Sequence, residues 1–187
     1  MAQYTHKAIM QSYLRLVRQK PLDKLTVKDI VEDCEITRNT FYYHFQDIYD
    51  LTAEVFRSEF AALLRSGGAD IGWWDMVREA AGFAQKNRAA VLHVFRSARR
   101  EELLQVFEAS SQEYLVELLR KHPQAAGVPE EDLQVLARVL RCAIAGLAQE
   151  WLNKGMKEDP GPTLDRMERM FHDLVERALA NAAPPKT

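Results

Sequence analysis

Between Thr26 and Phe45 the chain reads TVKDIVEDCEITRNTFYYHF, and its densest chemistry is the run Arg38-Asn39-Thr40-Phe41-Tyr42-Tyr43-His44. Six of these seven side chains carry hydrogen-bond donors or acceptors, and only Phe41 does not. Arg38 offers paired donors that match guanine O6 and N7. Asn39 offers one donor and one acceptor that match adenine N6 and N7. Thr40 can reach a base or a phosphate, and Tyr42, Tyr43 and His44 supply short-range contacts beside it. Phe41 and Phe45 are four residues apart, which puts both on one face of a helix and turns the polar residues outward.

Such an edge is useful only if something holds it, and the preceding residues supply the holder. Thr26 is suited to cap a helix, with Asp29 three residues on to reach back to the cap. Val27, Ile30 and Val31 then share an apolar face, Glu32-Asp33 ends it, and Cys34-Glu35-Ile36 makes a tight turn. Thr37 caps the second helix. Two short helices joined this way make a helix-turn-helix, whose second helix enters the major groove with its first turn on base edges. The candidate DNA-binding set is therefore Thr26, Lys28, Thr37, Arg38, Asn39, Thr40, Tyr42, Tyr43 and His44.

The run ITRNTFYYHF, with TVKDI ahead of it, resembles the DNA-binding core of the TetR family of transcriptional regulators. Its tail, HFQDIYDL, resembles the branch related to the dihydroxyacetone kinase regulator. The specific likeness covers roughly residues 5–65. It implies that Tyr42 and His44 contact phosphate, that the protein is a homodimer on a palindromic operator in double-stranded DNA, and that a ligand pocket lies in the helical body. It also implies repression released by a small-molecule effector. Two positions depart from the family pattern: Glu35 stands where many relatives carry Gly, and Gln46-Asp47 where many carry Lys.

Charge sets the affinity to expect. The net charge of −2 excludes a polybasic nucleic-acid binder. Residues 1–50 carry seven cations (Lys7, Arg15, Arg18, Lys20, Lys24, Lys28, Arg38) and seven acids (Asp23, Asp29, Glu32, Asp33, Glu35, Asp47, Asp50). A formally neutral head implies modest affinity and a shallow salt dependence, since few counterions are released. It also supports the alternative reading, a dimeric adaptor for another protein whose head no longer binds DNA.

The remaining elements read as helices, so the expected fold is all-α. A three-helix helix-turn-helix head occupies residues 1–48, and a connecting helix runs from Asp47 to about residue 66. A C-terminal effector-binding and dimerisation bundle fills residues 67–187. The first helix spans residues 5–20, with Thr5 as its cap and Pro21 as its stop. Leu22 and Leu25 pack under the head. Ile48, Leu51, Val55, Phe56, Phe60 and Leu63 form the stripe of the connecting helix, the lever expected to move when an effector binds. Ser66-Gly67-Gly68 is the breaker after it. Further helices are expected over residues 73–86, 89–97, 101–122, 129–156 and 162–182.

Leu133, Ala137, Leu140, Ile144, Leu147 and Trp151 step by three and four, as do Leu164, Met167, Phe171, Leu174 and Ala178. Such stripes suit helices crossing at about 20°. Ala143, Ala145, Gly146 and Ala148 add small residues beside the first stripe. Leu133, Ala137, Leu140, Ile144, Leu147, Leu164, Met167, Phe171, Leu174 and Ala178 are the candidate dimer interface. Trp73, Trp74, Phe83, Phe95, Phe107, Tyr114, Cys142 and Trp151 are candidate pocket walls, and an apolar or aromatic effector suits them.

Enzyme chemistry finds no support. The chain has no glycine-rich phosphate loop, no HExxH and no GxSxG. Of five histidines only His172 pairs with an acid at i, i+4 spacing, Glu168, so neither a metal nor a cofactor is expected. Cys34 and Cys142 have no CxxC partner and read as reduced thiols. No apolar run approaches the roughly 20 residues that span a bilayer, and the first residues have no signal-peptide pattern, so a cytoplasmic location away from membranes is expected.

Overall fold

A computed structural model of the chain describes residues 2–66 and 73–183, and every regular element within them is helical. The helices are α1 (Ala2–Val17), α2 (Val27–Asp33), α3 (Arg38–His44), α4 (Ile48–Ser66), α5 (Trp73–Lys86), α6 (Arg88–Phe95), α7 (Arg100–Arg120), α8 (Glu130–Asn153), α9 (Gly161–Phe171) and α10 (Leu174–Ala182). Single 3-10 turns at Leu22–Lys24 and Pro123–Ala125 join α1 to α2 and α7 to α8. The all-α fold with a helix-turn-helix head is as the residue pattern implied.

Two differences from the expected boundaries stand out. Helix α1 begins at Ala2, so Thr5 lies inside it and does not cap it. The last long helix is broken: Asp173, at φ −95° and ψ 19°, steps out of helical geometry, and α9 ends before it while α10 starts after it. No Gly or Pro marks that break. The Gly67-Gly68 breaker and the side chains of Phe60 and Leu63 lie outside the described residues.

The chain forms two compact units, Met1–Ser66 with Gly82–Phe107, and Gly67–Ala81 with Glu108–Thr187. In the first, Ile9, Val17, Leu22, Ile30, Phe41 and Leu51 are at most 1% exposed and knit α1 to α4 together. Leu25 joins them, as does Val94 of α6 and Leu103 of α7. His93 of α6 meets the Val17 carbonyl at 2.7 Å, so the end of α1 is held by α6. In the second unit Leu115, Val116, Leu119, Leu133, Ala137, Leu140, Val175 and Leu179 form the core. Arg78 ties α5 to α9 there, bonding Asp165 at 3.1 Å and Glu168 as well. Glu168 is thus spoken for by Arg78, and His172 lies instead 3.7 Å from Asp173.

Glu35 carries the one backbone feature that bears on the head's recognition turn. Its φ is +55°, left-handed territory that L-residues enter at a cost of roughly 1–2 kcal/mol. The turn needs that geometry to redirect the chain between α2 and α3. Glycine would remove the strain while adding disorder to the unfolded chain, worth roughly 0.5–1 kcal/mol. Glu35→Gly should therefore raise the stability of the head by up to about 1 kcal/mol. Urea unfolding measures this, and a lower midpoint would show that the Glu35 side chain contributes more than the strain removes.

Candidate nucleic-acid interface

The two short helices are held by reciprocal caps. At the start of α2, the Asp29 N–H donates to Thr26 Oγ1 at 3.2 Å, and the Thr26 N–H donates to Asp29 Oδ2 at 2.8 Å. The Thr26 hydroxyl itself donates to the same carboxylate at 2.6 Å. Lys20 sits 2.7 Å from Asp29 and holds its pKa down to about 2, with the Thr26 hydroxyl the next contributor. A depressed carboxylate pKa stabilises the fold above the ordinary carboxylate range, and that support is lost only as pH falls towards about 2. At the start of α3, Thr37 Oγ1 accepts the Thr40 N–H at 3.1 Å and lies 2.9 Å from Thr40 Oγ1. Thr26 and Thr37 are thus cap residues first, and both remain exposed.

Phe41 and Phe45 point inward, 0% and 3% exposed, and hold α3 by its apolar side. Everything expected on the other side is at the surface or half-buried. Arg38 and Asn39 are exposed, Tyr42 and Tyr43 are 54% and 79% exposed, and Thr40 and His44 are half-buried. The polar edge of the second helix is therefore not covered by its own unit. Lys28, at the start of α2, is exposed and only 3.6 Å from Glu32.

The neutral sum of charges hides an uneven layout. Asp29 is paired with Lys20, and Asp33 with Arg15. Asp47 caps α4, accepting the Tyr49 and Asp50 N–H groups at 2.8 Å each, and also binds Arg99 at 3.0 Å. Asp23 accepts the Tyr49 hydroxyl at 2.9 Å and the Ala98 N–H at 3.0 Å. Asp50 accepts the Gln46 N–H at 3.0 Å. Internal contacts thus occupy most of the acids. Lys7, Lys24 and Arg38 have no carboxylate partner among the described residues. The Asp47 that stands where relatives carry Lys is a helix cap, and it shares Arg99 with Glu102.

One neighbour of this edge escaped the sequence reading. His6 of α1 stacks on Phe45 with ring centroids 4.8 Å apart and meets His44 edge-on at 5.7 Å. Only its helical phase, together with the packing of α1 on α3, brings it there.

The candidate interface and pocket residues are divided by the fold. Leu133, Ala137, Leu140 and Leu164 are buried within their own unit and have no surface left for a second copy. Ile144, Met167 and Ala178 are half-buried, while Leu147, Phe171 and Leu174 are 39%, 45% and 42% exposed. The apolar face that α8 leaves open is the opposite one, with Val135 and Val139 at 56% and 58% and with Ala143 and Gly146 exposed. Its four-residue spacing was visible in the sequence beside the stronger inner stripe. Among the pocket candidates, Trp74 is buried, and Trp73 and Tyr114 pack on the core of the second unit. Cys142 is exposed on α8 and cannot line an interior. Trp151 donates its Nε1 hydrogen to the Glu158 carbonyl at 2.9 Å, bracing the turn after α8. Phe83 and Phe107 are 38% and 37% exposed, Phe107 lies edge-on to Phe56 at 6.4 Å, and Arg100 lies 5.6 Å over the half-buried Phe95 ring. These three rings belong to the first unit.

No three potential metal ligands cluster among the described residues, and no helix there is long and apolar enough to cross a membrane. Both cysteines are free thiols.

Comparison with known proteins agrees with this geometry. Residues 9–55 match the family model described as bacterial regulatory proteins, tetR family. Residues 72–173, more than half of the chain, match the TetR-type model described as transcriptional regulator C-terminal region. The chain is 30% identical over 69 residues to the HTH-type dhaKLM operon transcriptional activator DhaS of Lactococcus lactis. That stretch spans 37% of this chain and 37% of that relative. Among solved structures, the dihydroxyacetone kinase operon activator DhaS is similar with a TM-score of 0.63 at 19% identity, over 96% of this chain and 98% of that one. The fatty acid degradation regulator FadR from Bacillus halodurans gives 0.56 at 16% identity, over 91% and 94%. NalD, a secondary repressor of a multidrug efflux pump in Pseudomonas aeruginosa, gives 0.53 at 16%, over 95% and 97%. At such identities the likeness of the solved structures is one of fold, while the family models match the chain through its sequence. With its head and more than half its length so matched, the chain is a regulator and not an enzyme, and it belongs to the TetR family of DNA-binding transcriptional regulators.

Proposed function

We propose that two copies of the chain bind a palindromic operator, with Arg38 and Asn39 of each copy on base edges, and repress transcription until a small apolar or aromatic effector releases them. In this reading residues 1–48 are the reader, the connecting helix runs on to about residue 66, and residues 67–187 hold the effector and the second subunit. The observation that carries the reading is the uncovered polar edge of α3, beside acids that are mostly occupied by internal partners. Thr40, Tyr42, Tyr43 and His44, with Thr26, Lys28 and Thr37 at the two helix starts, supply the surrounding backbone contacts. Two such edges about 34 Å apart meet successive major grooves on one side of a duplex.

DhaS is described as an activator and NalD as a repressor, so both signs of regulation occur among proteins of this fold. Occupancy of the operator is what an effector changes, by no more than its difference in affinity for the bound and free forms. Trp73, Trp74 and Tyr114 are the remaining candidates for its apolar contacts in the second unit.

The test is a mobility-shift titration on the DNA flanking the chain's own gene, at two salt concentrations. Specific retention is expected, and Arg38→Ala should weaken it roughly 5- to 150-fold, the worth of one bidentate base contact of about 1–3 kcal/mol. Binding no tighter than to random duplex, unchanged by Arg38→Ala, would overturn the reading and favour the adaptor.

A further inference from the structure

His6 is far from the helix-turn-helix in sequence, yet its ring lies against the end of the recognition helix. It stacks on Phe45 at 4.8 Å and meets His44 edge-on at 5.7 Å, while Tyr43 also meets His44 edge-on at 5.1 Å. Neither imidazole has a carboxylate partner among the described residues. On α1 the neighbouring charged residue is Lys7, and on α3 it is Arg38. The nearest acid along the chain, Asp47, is committed to Arg99 and to two backbone N–H groups. The ring contacts of the two imidazoles are with Phe45, with Tyr43 and with each other.

Length places this pair relative to DNA. Helix α3 has seven residues, which is about 10 Å of helix, close to the roughly 12 Å width of the major groove. When the Arg38 end lies on base edges, the His44 end reaches the phosphate wall of the groove. We propose that His6 and His44 form one phosphate-binding pair, and that binding DNA draws a proton onto it. This rests on the reading that the polar edge of α3 lies against a duplex.

In the free head a cation here is disfavoured: burial and the neighbouring His6 hold the His44 ring below the usual imidazole range. A phosphate against the pair reverses that balance, because it supplies the anion that neither ring has within the protein. The complex then takes up a proton at a pH where the free protein does not. Affinity must rise as pH falls, by up to about tenfold per pH unit for each proton taken up, until the free protein is protonated too. Unperturbed imidazoles are the side chains that change charge between about pH 5 and 8.

The experiment uses the full-length protein and a duplex that the protein itself enriches from a random pool. Anisotropy titrations at fixed salt, from about pH 6 to 8, give the dissociation constant of the parent, His6→Gln and His44→Gln. A parent whose affinity rises as pH falls, with the response flattened in both variants, supports the pair. Ring NMR of the parent, with and without duplex, needs no variant: the His44 ring should stay protonated to higher pH in the complex, and the His6 resonances should move with it. A flat parent profile, unmoved His6 resonances, or a His6→Gln protein with the parental slope would overturn the proposal. If Arg38→Ala still weakens specific binding in that case, the pair fails while the reader assignment stands. If no duplex is enriched, both fail.

Discussion

Val139→Glu should turn the protein into a folded monomer that binds its operator roughly 10²- to 10⁴-fold more weakly. Helix α8 is apolar on two opposite faces. One face, with Leu133, Ala137 and Leu140, is consumed by the core of its own unit. The other carries Val135, Val139, Ala143 and Gly146 into solvent. A Cβ added at Gly146 would meet nothing within 4 Å, so another helix has room to approach there. Met170, Phe171 and Leu174, on α9 and α10, are 67%, 45% and 42% exposed and extend the supply of uncovered apolar surface. A helix with apolar residues on both sides requires partners on both sides. The proposed second partner is another copy, related by a two-fold axis that lets two heads grip two half-sites. A carboxylate at Val139 would be stripped of water without a counter-ion, which such an interface cannot tolerate. The residue is more than half exposed in one chain, so helical content and melting of the subunit should change little. Light scattering and the operator titration read the two effects. A variant that stays dimeric would place the interface elsewhere.

The second large effect is on the fold of the head. Phe41→Ala should cost about 3–5 kcal/mol, the usual loss for a buried phenyl group and the cavity it leaves. Phe41 is 0% exposed and lies 5.8 Å from the Phe45 ring, in the cluster that also holds Ile9, Ile30 and Leu51. Domains are stable by about 5–15 kcal/mol, so such a loss leaves the head marginal. Specific DNA binding should disappear even though no DNA-facing group has been touched. The second unit has its own core, so self-association should survive. Urea unfolding followed by circular dichroism measures the loss. A cost below about 1 kcal/mol would mean that the neighbours collapse into the space and that α3 does not depend on this anchor.

The local pattern made the helix-turn-helix legible. Its caps operate across three residues, Thr26 to Asp29 and Thr37 to Thr40, and its anchor across four, Phe41 to Phe45. Interactions of that range survive any tertiary arrangement, so residue order reveals them. At Glu35 the resemblance showed only a departure from the Gly of many relatives, and the folded chain showed the positive φ.

Choices between equally good local patterns needed the folded chain. Helix α8 has two apolar stripes of helical period, and periodicity cannot say which one meets the interior. Long-range packing against Leu115, Leu119, Val175 and Leu179 draws in Leu133, Ala137 and Leu140. The neutral charge of the head likewise concealed which acids were occupied. That was decided by pairs such as Arg15 with Asp33, 18 residues apart, and Arg99 with Asp47, 52 apart. His6 meets His44 only because α1 packs on the helices that follow it. Residue order thus determined the helix-turn-helix and its polar edge, through contacts a few residues long. The fold settled what surrounds that edge and which surfaces remain free, because burial and charge pairing depend on neighbours that sequence spacing does not name.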